Sequence, residues 1–199
     1  VVVTSAKPGQ FVAGADLTLL GGAHPAALRE ALQSMQRVLD DLAALPCTVV
    51  AAIGGSALGG GYEIALACDW RIAAESPAVR IGLPEVSLGL LPAAGGTQRL
   101  PRLVGLPRAL DLILGARQLT ARRALRAGLV DGTVHPAKLE RAAADRALRL
   151  EKRRPSGGLN LSARAVTWLP PLRARALALA RRRVRAETKG HYSAPFRAL

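Results

Sequence analysis

Between residues 26 and 45 apolar positions recur at intervals of three and four: Leu28, Ala31, Leu32, Met35, Val38, Leu39, Leu42 and Leu45. This spacing predicts an amphipathic helix with one apolar stripe, stopped by Pro46. Ahead of it, the β-branched run at residues 1–4 suits a buried parallel strand, and a loop with Pro8, Gly9 and Gly14 follows. A strand under way at a first residue that is not Met reads as an amino-terminal truncation. Residues 48–53 give the next strand signal. Gly54, Gly55 and the triplet Gly59, Gly60, Gly61 then form a turn, and residues 62–68 read as helix.

Short strands are expected at 69–74 and 79–81, after which the pattern turns helical over 97–103, 107–114 and 121–127, closed by Gly128. A strand at 130–134 and a basic helix at 137–152 come next. Residues 153–158 carry Pro, Ser and two Gly after a basic cluster, the composition of a connector. The expected division is a core over residues 1–157 and a linker and C-terminal helix region over 158–199, with a helix at 171–187. Strands alternating with helices early and helices alone later imply an α/β fold.

No apolar run reaches the roughly 18 to 20 uncharged residues of a membrane-spanning helix, so no membrane span is expected. The only cysteines, Cys47 and Cys68, form neither a disulfide framework nor a zinc pattern, which suits a reducing cytoplasmic setting. The net charge of +14 is uneven: residues 1–98 carry five Lys/Arg against eight Asp/Glu, and residues 99–199 carry 23 against six. A basic half of this kind can attract polyanions. Aromatic residues make up only 3% of the chain, leaving few platforms for base stacking. Nucleic acid is therefore a poor candidate partner, and Arg outnumbering Lys 24 to 4 has the look of coding bias.

Several chemistries are excluded by missing residues. The chain has no GxxxxGK[ST] loop, and Gly59, Gly61 and Ile64 fail the last glycine of GxGxxG. Ser56 lacks the second glycine of a GxSxG elbow, and His24, His135 and His191 share no ligand spacing. There remains a glycine-rich strand-to-helix turn with a carboxylate in the first helical turn. Backbone N–H groups at Gly59 to Gly61 are unobstructed by Cβ atoms, and a helix amino terminus favours a developing anion. Glu63 lies just inside that helix among apolar residues, where a charge is costly unless it faces solvent or works. Glu85, after Pro84, sits in a second apolar stretch. Taken singly, each glutamate reads as a surface carboxylate. Brought to one pocket, the two would separate in pKa and could divide acid and base roles.

Three blocks resemble the crotonase (enoyl-CoA hydratase/isomerase) family: SAKPGQFVAGADL at 5–17, AAIGGSALGGGYEIALACD at 51–69 and GLPEVSLGLLPAAGGTQRLPRL at 82–103. The segment 74–80 and the tail ETKGHYSAP at 187–195 are similar to the hydratase portion of the α subunit of the bacterial fatty-acid oxidation complex, in its anaerobic-type multifunctional form. The resemblance implies a crotonase-like fold of stacked ββα units with a helical C-terminal part. It also implies enoyl-CoA hydratase (lyase) activity in fatty-acid β-oxidation, with Δ3-Δ2-enoyl-CoA isomerase as the alternative. A non-catalytic crotonase fragment and a basic polyanion-binding protein stand as rivals to both.

Carried onto this sequence, the family's catalytic pair is Glu63 and Glu85, and its oxyanion hole is the backbone N–H groups of Ala15 and Gly60. Ala13, Gly14, Asp16, Gly59, Gly61, Pro92 and Gly95 fall at substrate-binding positions. The partner implied is an acyl-CoA thioester, with coenzyme A as part of the substrate and no separate cofactor or metal. The assembly implied is a homo-oligomer, or a complex with a thiolase subunit. Ala93 stands where the family usually has glycine, so a positive φ there would strain the backbone.

Overall fold

A computed structural model describes residues 1–14, 24–149, 159, 161–189 and 192–199. The elements begin with strand β1 (Val2–Val3), strand β2 (Gln10–Ala13) and helix α1 (Pro25–Ala44). The same strand, strand, helix order then repeats with β3 (Val50–Ile53), β4 (Ser56–Leu58) and α2 (Gly60–Ala67). In the third unit β5 (Trp70–Ala74) and β6 (Ile81–Gly82) lead through a 3₁₀ turn, Glu85–Leu88, into α3 (Gly96–Val104). After it come helices α4 (Leu106–Leu114) and α5 (Ala121–Ala127), strand β7 (Gly132–Val134), a 3₁₀ turn at Pro136–Lys138 and α6 (Leu139–Arg149). Three C-terminal helices complete the chain: α7 (Leu161–Trp168), α8 (Pro170–Thr188) and α9 (Ala194–Ala198).

Each unit gives its first strand to one sheet and its second to another. The four-stranded sheet has the order β1-β3-β5-β7 and the three-stranded sheet β2-β4-β6, with every pairing parallel. This is the α/β arrangement that the resemblance implies, with parallel sheets and C-terminal helices. The β3 strand is buried along its whole length, as an apolar run inside a parallel sheet should be. Val50, Ile53, Ile72, Ile81, Leu100 and Leu129 belong to the main core. Helix α6 packs on β1, β3 and β5, while α2 packs on β2 and β4.

Several sequence-based expectations change. The loop expected after residue 4 contains β2, and the glycine turn after residue 53 contains β4, so a second sheet runs through segments too short and too rich in small residues to signal strands. The helix expected at 137–152 opens as a 3₁₀ turn, Pro136–Lys138, and becomes α-helical at Leu139. Helices α7 and α9 have no counterpart among the elements the sequence pattern predicts. Along α1 only Leu39 is fully buried and Val38 is 60% exposed, so the apolar stripe is narrower than its spacing suggests. Ala93 is not among the residues with positive φ, and the left-handed position of that loop is Gly95, with φ of 106°. Alanine at 93 is therefore unstrained. Among the described residues no helix is long and apolar enough to cross a membrane.

Candidate active site

The site arises from the sheet register. In the three-stranded sheet Ala13 stands opposite Leu58, and Leu58 opposite Gly82, all in parallel strands. Their carboxyl ends therefore leave the sheet side by side. Directly beyond those ends lie Gly14 after β2, the turn from Gly59 to Glu63 after β4, and Leu83 to Glu85 after β6. Residues 22 apart in sequence meet because the strands before them pair.

Gly59 caps α2 with φ of 56° and ψ of −129°, a conformation open to glycine and strained for other residues. Its N–H donates to Gly82 O at 3.0 Å, which ties the turn to β6. Its carbonyl accepts from both Tyr62 N and Glu63 N, at 2.8 and 3.0 Å. The helix offers no acceptor to the amides of Gly60 and Gly61 in its first turn. A Cβ on Gly59 would stand 3.1 Å from Glu85 Oε1 and 3.7 Å from Gly14 Cα, so these three residues line one small space. A Cβ on Gly61 would fall 1.9 Å from Val12 O, showing how closely α2 abuts β2.

Glu63 is only 2% exposed. Its Oε1 accepts from Gly96 N at 2.7 Å, the first amide of α3, so the carboxyl meets the positive end of a second helix. Burial nevertheless pushes the Glu63 carboxyl up, opposed by backbone hydrogen bonds from Gly96 and Ala94 and by the charge of Arg99. Glu85 opens the 3₁₀ turn, and burial followed by the like charge of Glu63 raises its carboxyl from 4.5 to about 7. Its Oε2 is buried and, among the described residues, lacks a hydrogen-bond partner. The Tyr192 hydroxyl donates to Val86 O and so holds this turn from the C-terminal side. Neither glutamate is a freely solvated surface carboxylate, the reading each supports when taken singly.

The structure thus brings together Glu63, Glu85, Gly14, Gly59, Gly60 and Gly61, with Ala13 in the strand leading in. Gly95 lies in the turn that delivers the Gly96 amide to Glu63. Pro92 is buried in the same loop and lines a cavity of about 520 Å³ with Gln36, Thr97 and Trp168; neither glutamate lines that cavity. Ala15 and Asp16 lie outside the described residues. Sequence reasoning missed Gly96 and Arg99 as neighbours of Glu63. The available signal was the Gly-Gly pair at 95–96 directly ahead of a helix, the pattern of an exposed amide terminus.

A buried and a partly buried carboxyl with raised pKa, beside first-turn amides that have no acceptor within their own helix, can move protons at adjacent carbons while an oxyanion forms. The chain is similar to known proteins along most of its length. The family model described as enoyl-CoA hydratase/isomerase matches residues 1–169. An enoyl-CoA hydratase from Bacillus anthracis is 44% identical with a TM-score of 0.70, over 74% of this chain and 57% of its own length. An enoyl-CoA hydratase from Geobacillus kaustophilus is 35% identical with a TM-score of 0.70, over 97% of this chain and 72% of its own. Pseudomonas aeruginosa DspI is 36% identical with a TM-score of 0.69, over 89% and 75%. With a family model along most of its length and relatives above 30% identity across nearly all of it, the chain belongs to the enoyl-CoA hydratase/isomerase family.

Proposed function

We propose that the chain is an enoyl-CoA hydratase that adds water across the C2=C3 bond of a trans-2-enoyl-CoA thioester. The observation that carries this is the pair of carboxyls, Glu63 buried and Glu85 partly so, both shifted upward and flanking the glycine-lined terminus of α2. Ionised Glu63 takes a proton from water as its oxygen bonds to the β-carbon. The electron pair of the double bond moves toward the thioester, and the negative charge collects on the thioester oxygen. The N–H groups of Gly60 and Ala15 receive that oxygen. Protonated Glu85 then delivers its proton to the α-carbon, and the charge returns through the carbonyl. Glu63 ends protonated and Glu85 ionised, and return of that one proton from Glu63 to Glu85 restores the starting state; the pair holds one proton throughout, since two like charges in one site do not both form readily.

Retention of both glutamates favours hydration over Δ3-Δ2 isomerisation, which can run on one carboxylate. The test is loss of the conjugated-thioester absorbance of a short trans-2-enoyl-CoA on incubation with the chain, beside Glu63→Gln and Glu85→Gln. Each variant should lose about 10²- to 10⁴-fold in turnover. Absence of both turnover and thioester binding in folded wild-type chain would defeat the proposal. A place in β-oxidation, within a multifunctional α subunit, is a narrower proposal resting on the likeness of segments 74–80 and 187–195. A dinucleotide-binding fingerprint encoded downstream of residue 199 would support it, and an unrelated continuation would end it.

A further inference from the structure

We propose that Arg99 is a positioning residue for Glu63, bracing the turn at residues 94–96 against α1 so that the Gly96 amide stays aimed at the Glu63 carboxyl. The inference rests on the reading of Glu63 as the water-activating base.

The geometry forms a continuous chain of contacts. Arg99 lies in the first turn of α3, and its side chain is 15% exposed. Nη1 donates to Ala94 O at 2.8 Å, and Nη2 pairs with Asp40 Oδ1 of α1 at 2.5 Å. A Cβ on Gly95 would fall 2.2 Å from Nη1, so the guanidinium packs onto the bare Cα of that residue. The Arg99 amide donates to Gly95 O at 2.8 Å. Backbone and side chain of one residue therefore grip both peptide groups before Gly96. Gln36, also on α1, donates to Ala93 O at 2.6 Å and fixes the entry to the turn. At the far end Gly96 N reaches Glu63 Oε1 at 2.7 Å.

The guanidinium also has an electrostatic effect, since its charge opposes the burial that raises the Glu63 pKa. Among the described residues few other charges compete. Glu85 acts from the 3₁₀ turn. From α1 the charge that reaches this turn is Asp40, which arrives through its pair with Arg99. Strands β2 and β4 carry no ionisable side chain. Arg71 on β5 serves the opposite end of α2, donating to Ala65 O and Cys68 O. Arg102, the other arginine of α3, is exposed.

The test uses the chain of residues 1–199 with ¹³C-labelled glutamate carboxyls, comparing wild type, Arg99→Gln, Arg99→Lys and Asp40→Asn by NMR pH titration, with Glu63→Gln used to assign the Glu63 signal. Arg99→Gln should move the Glu63 midpoint to higher pH and displace the Gly96 amide resonance, while Arg99→Lys restores much of the midpoint. In turnover with a short trans-2-enoyl-CoA, Arg99→Gln should move the acid limb of the kcat profile upward and lower kcat by about 10- to 100-fold, the scale of a misplaced reacting group. Asp40→Asn should cost less, and adding it to Arg99→Gln should cost nothing more. An unchanged Glu63 midpoint together with an unmoved Gly96 amide in Arg99→Gln overturns the proposal, and so does a Lys variant indistinguishable from Gln. The NMR titration decides between these outcomes even if the chain proves inactive, whereas inactivity of the wild type counts against the hydratase reading alone. Should Arg99→Gln fail to fold, Asp40→Asn and Arg99→Lys carry the same midpoint comparison.

Discussion

Replacing Glu85 by Gln should set stability against catalysis. Burial, with the charge of Glu63 behind it, raises the Glu85 carboxyl from 4.5 to about 7. A carboxyl raised in this way binds its proton more tightly in the folded chain than in the unfolded one. Between about 4.5 and about 7 the unfolded chain holds fewer protons, so stability declines as pH rises through that window and levels off above it. At about 1.36 kcal/mol per unit the full shift is worth about 3 kcal/mol. Glu85 is partly exposed, and solvent screening brings the figure to about 2 kcal/mol. Glutamine keeps the shape and carries no titrating proton. Urea unfolding of the wild type and Glu85→Gln should therefore give similar stabilities near pH 4.5, and a variant more stable by about 2 kcal/mol near pH 8. Turnover at neutral pH should meanwhile fall by about 10²- to 10⁴-fold. A variant no more stable than wild type at pH 8 would refute the claim that the site holds this carboxyl at a cost.

Gly61→Ala should prevent folding or cost more than about 3 kcal/mol by urea titration, because its Cβ would meet the Val12 carbonyl oxygen at 1.9 Å. Arg71→Met should cost about 3 to 5 kcal/mol in the same assay, since it removes the 2.8 Å pair with Asp131 while both side chains are buried or nearly so. Burial pushes the Cys68 thiol up to about 12, while Cys47 is exposed. Native chain should therefore titrate one thiol with a disulfide reagent at neutral pH and two after denaturation; two fast-reacting thiols in the native state would contradict the burial.

How much of the fold was legible in the sequence depended on how local the cause was. The stripe from Leu28 to Leu42 and the apolar run ending at Ile53 gave α1 and β3 nearly in place, because the period of each reports a face that the element itself buries. Strands β2 and β4, at four and three residues, left no such trace, and the run expected at 79–81 overlaps β6 only at Ile81. Ser56 to Leu58 is a strand only because Gln10 to Ala13 and Ile81 to Gly82 lie on either side, and the pairing with β2 even shifts register between Gln10 and Val12. Helix α7 was equally silent, since among its described side chains only Thr167 is buried, bonded to Leu106 N.

The glutamates show the same division more sharply. Each is an ordinary residue in its own segment, one in the first turn of a helix and one after a proline, and neither segment contains the reason for its burial. That reason is the parallel pairing of β4 with β6, which sets Gly59 and Leu83 just beyond adjacent strand ends and so carries Glu63 and Glu85 toward one space. The pairing was the part of the sequence with the weakest signal. A resemblance could place the glutamates because it compares whole blocks in order, which stand in for the missing contact. The buried carboxyl beside Gly96 adds what no block could give. Glu63 answers to two helix termini, its own and that of α3, and its chemistry is therefore set as much by residues 94–99 as by the glycine turn beside it in the sequence.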